Sequence, residues 1–228
     1  MRALGLALLI AVGAPLALPG LAAQDVTARL EGRVPANVVR AVQGIAQDAA
    51  TRGLPTEPLI QKAIEGGAKG VPAERVIAAV RVLAARLDEA RSALRGAGIP
   101  SPSPEALESG ADALNAGLNS RQIRDVGRVS RAPYDPALTL RVAATLTALG
   151  VPARQGLRLM ERMIQAGRGP NELLDLPNEV QVDMARGASA GEAAEALDTR
   201  DGAEGQQAQQ GQQGEEGQGQ QGPSVRRP

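Results

Sequence analysis

The chain is expected to fold as an all-α protein: an irregular bundle of about seven to nine short-to-medium helices joined by tight Gly-apolar-Pro corners, with a disordered C-terminal tail. Three observations predict this. Apolar residues recur at spacings of three and four along most of the chain, the period of a helix with one buried face, while strand-like alternation is nearly absent. A single punctuation recurs as Gly53-Leu54-Pro55, Gly70-Val71-Pro72, Gly98-Ile99-Pro100 and Gly150-Val151-Pro152, with Gly117-Leu118-Asn119 as a variant. Glycine takes the left-handed conformation that ends a helix, the apolar residue packs back on that helix, and proline or asparagine begins the next. From Asp201 onward the composition collapses to Gln and Gly, leaving too little apolar surface to offset the entropy of ordering. The interval from Gly117 to Gly150 would suit a helical-hairpin solenoid, but Gly70 and Gly98 break that phase and no side-chain signature repeats with it.

The elements follow in order. Residues 1–23 open with Met1-Arg2, run apolar from Ala3 to Leu18 and end on Pro19-Gly20-Leu21-Ala22-Ala23, the three parts of a secretory leader cleaved after Ala22 or Ala23. An uncleaved anchor fits less well, because Pro15 and Pro19 interrupt a stretch that needs about 20 predominantly apolar residues. No cysteine follows it, so lipid attachment at a thiol is excluded. Lys62 and Lys69 are the only lysines among 25 basic residues, and with abundant Ala and Gly this suits a GC-rich bacterial genome. The expected location is therefore periplasmic or extracellular, with no integral membrane segment once the leader is removed.

Residues 24–99 are expected to form an N-terminal helical subdomain, in which Asp25–Val34 is the least determined segment. After Pro35, Val38, Val42, Ile45, Ala46 and Ala49 share a face. A long amphipathic helix spans about 72–95, where Val76, Val80, Leu83, Leu87, Ala90 and Leu94 form a seam like that of a coiled coil. Residues 100–104 are a rigid Pro/Ser joint.

A C-terminal subdomain covers 105–200. Ser103 caps a helix with Pro104 at its first position, and Leu107, Ala111 and Leu114 make its buried stripe. Asp135-Pro136 opens another in the same way, with Leu138, Val142, Leu146 and Leu149 on one face; Leu157, Met160 and Ile164 mark the next. Pro170 and Pro177 are expected to cut the following segment into short pieces. Ser189-Ala190-Gly191-Glu192 then reads as a capping box opening a last weak helix. Residues 201–228 form the tail.

Composition narrows function chiefly by exclusion. The chain has no His, Cys, Trp or Phe and one tyrosine, Tyr134, so the usual triads, thiol chemistry, imidazole metal ligands and stacking platforms are missing. There is no Ser-x-x-Lys pattern, and paired acids such as Asp88-Glu89 lack a shaped sugar site. No enzyme activity, cofactor or metal is expected. With 25 basic and 25 acidic residues the chain has no net charge, which gives no electrostatic case for bulk nucleic-acid or membrane-surface binding.

The candidate contacts are therefore surfaces. Val76, Val80, Leu83, Leu87 and Leu94 would dock an unknown protein partner or a second copy if their face is wider than the bundle covers. Ala113–Val126 resembles a helix-turn-helix, with Arg121, Arg124, Arg128 and Arg131 along one side of its second helix; Asp125 can pair with Arg121, and an exported chain leaves the chromosome, so no nucleic acid is expected. Arg154, Arg158 and Arg162 form a second basic row, and with the first one it would serve an envelope-associated binder of anionic lipid or polymer. Lys62 and Lys69 are further candidate anion contacts; they flank Glu65 beside Gly66 and Gly67, which permit a close approach by another backbone.

Overall fold

The computed structural model describes residues 19–200, with side chains from Asp25 onward. The Gln/Gly tail from Asp201 and residues 1–18, on which most of the expected leader falls, lie outside the described residues. Within them every regular element is a helix: α1 (Pro19–Leu30), α2 (Ala36–Thr51), α3 (Glu57–Ala68), α4 (Ala73–Gly96), α5 (Pro104–Ala116), α6 (Ser120–Val129), α7 (Pro136–Ala148), α8 (Ala153–Gln165) and α9 (Pro170–Ala185). A further helical stretch, α10, covers 190–200. The all-α bundle expected from periodicity is what the chain forms. Helix α1 runs through the Ala22 and Ala23 junctions and buries Val26 and Leu30.

The corners form as their residues dictate. At the end of α2, Gly53 has φ 71°, its N–H donates to the Ala50 carbonyl at 2.9 Å, and the Leu54 N–H donates to the Ala49 carbonyl at 3.0 Å. These are the two reversed bonds of a Schellman ending, and they satisfy carbonyls that the helix itself leaves open. Gly150 repeats the arrangement at φ 95°, with Val151 bonding back to Leu146 at 3.0 Å. Leu54, Leu118 and Val151 are buried, so the residue after the glycine does pack back; Val71 is the exception and stays exposed. The same ending also closes α8 and α9 at Gly167 and Gly187, where no proline advertises it.

Two helices organise the packing. α4 packs against α2 and α3 on one side and against α5 and α6 on the other, across the Pro/Ser joint. α7 packs against α5, α6, α8 and α9, and its interface with α5 is the most extensive in the protein. Gly110 lets α5 fit closely between its two main neighbours: a Cβ there would lie 2.8 Å from the Ala90 Cβ on α4 and 3.8 Å from Leu140 Cδ1 on α7. Surrounded in this way, α7 buries Thr139, Leu140, Ala143 and Ala144 as well as Val142 and Leu146, while Leu138 and Leu149 are only half-buried. Each fully buried Leu or Val contributes roughly 1.5–3 kcal/mol, so stability is spread over many modest contacts.

Two expectations need correction. α9 is one continuous helix, not short pieces. Pro170 sits at its start, where a missing N–H costs nothing, and Pro177 lies inside it. Pro177 removes the donor for the Leu173 carbonyl, but Leu173, Leu176 and Val180 are buried on both sides of it and hold the helix together. In α8 the fully buried face is Gly156, Leu159, Met160 and Met163, so Leu157 and Ile164 flank the core instead of forming it. The expected capping box does open α10: the Ser189 hydroxyl accepts from the Glu192 N–H at 3.3 Å, and the Glu192 carboxylate accepts from the Ser189 N–H at 2.8 Å.

Candidate functional site

The start of α6 is set by Asn119. Its side-chain oxygen accepts from the N–H groups of Arg121 and Gln122 at 3.1 and 3.0 Å, and the Gln122 side chain accepts from the Asn119 N–H at 2.9 Å. This reciprocal cap fixes the rotation of the helix. Ile123, Val126 and Gly127 therefore turn inward and Arg128 outward. Gly127 lets α6 sit close against the end of α4, since a Cβ there would lie 2.8 Å from the Ala97 Cβ.

Opposite α6, the start of α8 follows Pro152 and places Met160 in the core with Leu157 at its margin. Between the two helices runs an open groove of about 310 Å³. Val126, Val129, Leu157 and Met160 supply its apolar lining, and Asp125, Arg128, Arg158 and Glu161 its rim. Asp125 and Arg128 form an ion pair at 2.9 Å. Arg158 and Glu161 are exposed, and their side chains make no hydrogen bond or ion pair among the described residues. The groove thus offers aliphatic contact flanked by one free cation and one free carboxylate.

The other predicted residues lie as follows. Val76, Val80, Leu87 and Leu94 are fully buried and Leu83 is half-buried against the core. This corrects the docking expectation: α2, α3, α5 and α6 together cover the α4 seam, and these five residues leave no apolar width for a partner. Arg121 and Arg154 are exposed, and their side chains have no partner among the described residues. Arg124 is half-buried, its Nε enclosed and unbonded, with its side chain beside Gly96 at the end of α4. Arg162 pairs with Asp198 at 3.0 Å. Asp125 bonds Arg128, three residues on, and not Arg121. Lys62 and Lys69 both bond Glu65, at 2.9 and 2.5 Å, and their hydrogen bonds hold its carboxyl down at about 2.

Periodicity brought Arg128 and Arg158 to notice in separate rows; it did not show that they border one groove. Glu161 and Val129 went unselected, and no local signal marks them, because the groove exists only when α6 and α8 are brought side by side. Tyr134, buried, donates its hydroxyl to the Arg168 carbonyl and so ties the loop before α7 to the loop before α9. Burial of Glu108, with repulsion from Glu105, Asp112 and Glu57, pushes its carboxyl above the usual range, but Glu108 stands on α5 and does not line the groove. Among the described residues no group of three or more acidic, His or Cys side chains is placed to hold a metal, and no helix is long and apolar enough to cross a membrane.

Fold and groove define an all-α bundle carrying an aliphatic groove with a mixed-charge rim. No family model, curated protein or solved structure matches the chain.

Proposed function

We propose that the protein is a non-enzymatic contact protein that binds a segment of another protein in the α6/α8 groove. The observation that carries this reading is the groove in which half-buried Val129 and Leu157 lie over the buried Val126 and Met160, beside Arg158 and Glu161, whose side chains have no partner among the described residues. Recognition surfaces commonly join a desolvated apolar centre to a polar rim. The partner segment presents an aliphatic side chain to the groove, an acid to Arg158 and a base to Glu161. The leader-like composition of residues 1–23 supports an encounter outside the cytoplasm. A purely anionic ligand on the arginine rows is less well supported, because Asp125 and Asp198 already neutralise Arg128 and Arg162.

The test is site-specific photocrosslinking in the source cells, with the probe at Arg158 or, as a control, at Ala78 on the exposed side of α4. One product at position 158, absent at 78 and retained at about 0.5 M salt, is the expected result, since an apolar centre is not screened. Equal products at both positions, or loss of the product in salt, would refute it.

A further inference from the structure

The α3–α4 corner differs from the others, because Val71 does not pack back and instead lines a cleft of about 240 Å³. The walls are fixed by close packing: a Cβ on Gly66 would lie 2.7 Å from Val76 Cγ2, so α3 and α4 meet directly there. Lys62 and Lys69 enter from α3 and Arg75 from the first turn of α4. Glu65 lies between the lysines, one carboxylate oxygen on each ammonium at 2.9 and 2.5 Å, and so holds both in place. Each ammonium has further N–H donors to offer, and the Arg75 guanidinium makes no hydrogen bond or ion pair among the described residues. Three cations and one carboxylate leave a local excess of two positive charges among the lining residues.

We propose that this cleft binds a phosphate monoester group, its two or more oxygens taken by Lys62, Lys69 and Arg75 and its carbon substituent laid on Val71 and Ala79. The charge match selects this class. A phosphate monoester carries about −1.5 to −2 near neutral pH, whereas one carboxylate would leave a positive charge unmatched. Two lysines and an arginine that line one cleft from two helices also suit a tetrahedral anion better than a planar one. Both of the chain's lysines are in this cleft. The inference does not depend on the α6/α8 groove, which lies between other helices.

The same group can arrive on a soluble ester or on a lipid headgroup, and two arms separate the sources. In the first, the ¹⁵N-labelled full chain is titrated with n-butyl phosphate. Saturable amide shifts confined to residues 62–79 are expected, with binding weakened about tenfold by Lys69→Gln or Arg75→Gln and largely kept by Arg75→Lys. In the second, flotation is measured with phosphatidic acid vesicles against phosphatidylcholine vesicles. Saturable shifts without flotation assign a soluble ester, and selective flotation lost in the Lys69→Gln/Arg75→Gln double variant assigns a headgroup. Binding in neither arm, or binding that survives the double variant with its helical circular dichroism intact, overturns the proposal.

Discussion

At Gly67 a Cβ would lie 2.4 Å from the Arg33 backbone carbonyl oxygen, whereas at Gly44, also within a helix, it would meet nothing within 4 Å. The first glycine is where the backbone of the α1–α2 corner approaches α3, and a carbonyl cannot swing aside as a flexible side chain can. The second carries only the entropic cost of glycine in a helix. Gly67→Ala is expected to lower stability by about 1–3 kcal/mol and Gly44→Ala to raise it by about 0.5–1 kcal/mol, both read from urea unfolding midpoints. Glu57 gives a second residue-level prediction. Arg29 grips its carboxylate with two hydrogen bonds, at 2.5 and 2.6 Å, and with a further one from Gln61 this holds the carboxyl at about 2. The folded pKa lies below the unfolded one, so the stabilisation is complete above the ordinary carboxylate range and is lost as pH falls toward 2. Glu65 acts in the same sense. Both groups face solvent, so the loss is modest, and Glu57→Gln should make the fall in melting temperature between about pH 5 and 2 shallower.

At the scale of helices, what the sequence reveals depends on how many neighbours an element has. α2 has its apolar residues on one face, and Val38, Val42, Ala46 and Ala49 are buried as their spacing implies. α7 is enclosed by four helices, so a single stripe understates its burial, and Thr139 and Ala143 gave no apolar signal strong enough to mark them. Pro177 misleads for a different reason: its local cost is real, but packing of α9 on α7 outweighs it. Pro177→Ala should therefore stabilise the protein by about 1–3 kcal/mol in thermal or urea unfolding. Leu87 lies at the middle of α4 with no exposed surface, and Leu87→Ala should cost about 2–5 kcal/mol. In the groove, half-buried Leu157 tests contact apart from folding: Leu157→Glu should leave the helical signal intact and weaken partner binding at least tenfold.

For the whole molecule, helical class and corners were legible because each is written within a few residues. The groove was not, because Arg128 and Arg158 belong to helices that are separated in sequence by α7 and meet only in the fold. The α3–α4 cleft was half legible: the lysines stood out among arginines, but Arg75 joins them only through the corner at Gly70. The α4 seam shows the limit of pattern reading most clearly. A coiled-coil-like stripe implies a partner helix, and here α2, α3, α5 and α6 of the same chain supply it. Native-state amide hydrogen exchange along α4 tests this most directly. If the seam is the protein's own core, amides from Val80 to Leu94 exchange only through global unfolding, at rates independent of protein concentration. Fast exchange along α4 would mean that the seam is not a stable core, and protection that grows with concentration would mean that a second copy, not its own bundle, covers it.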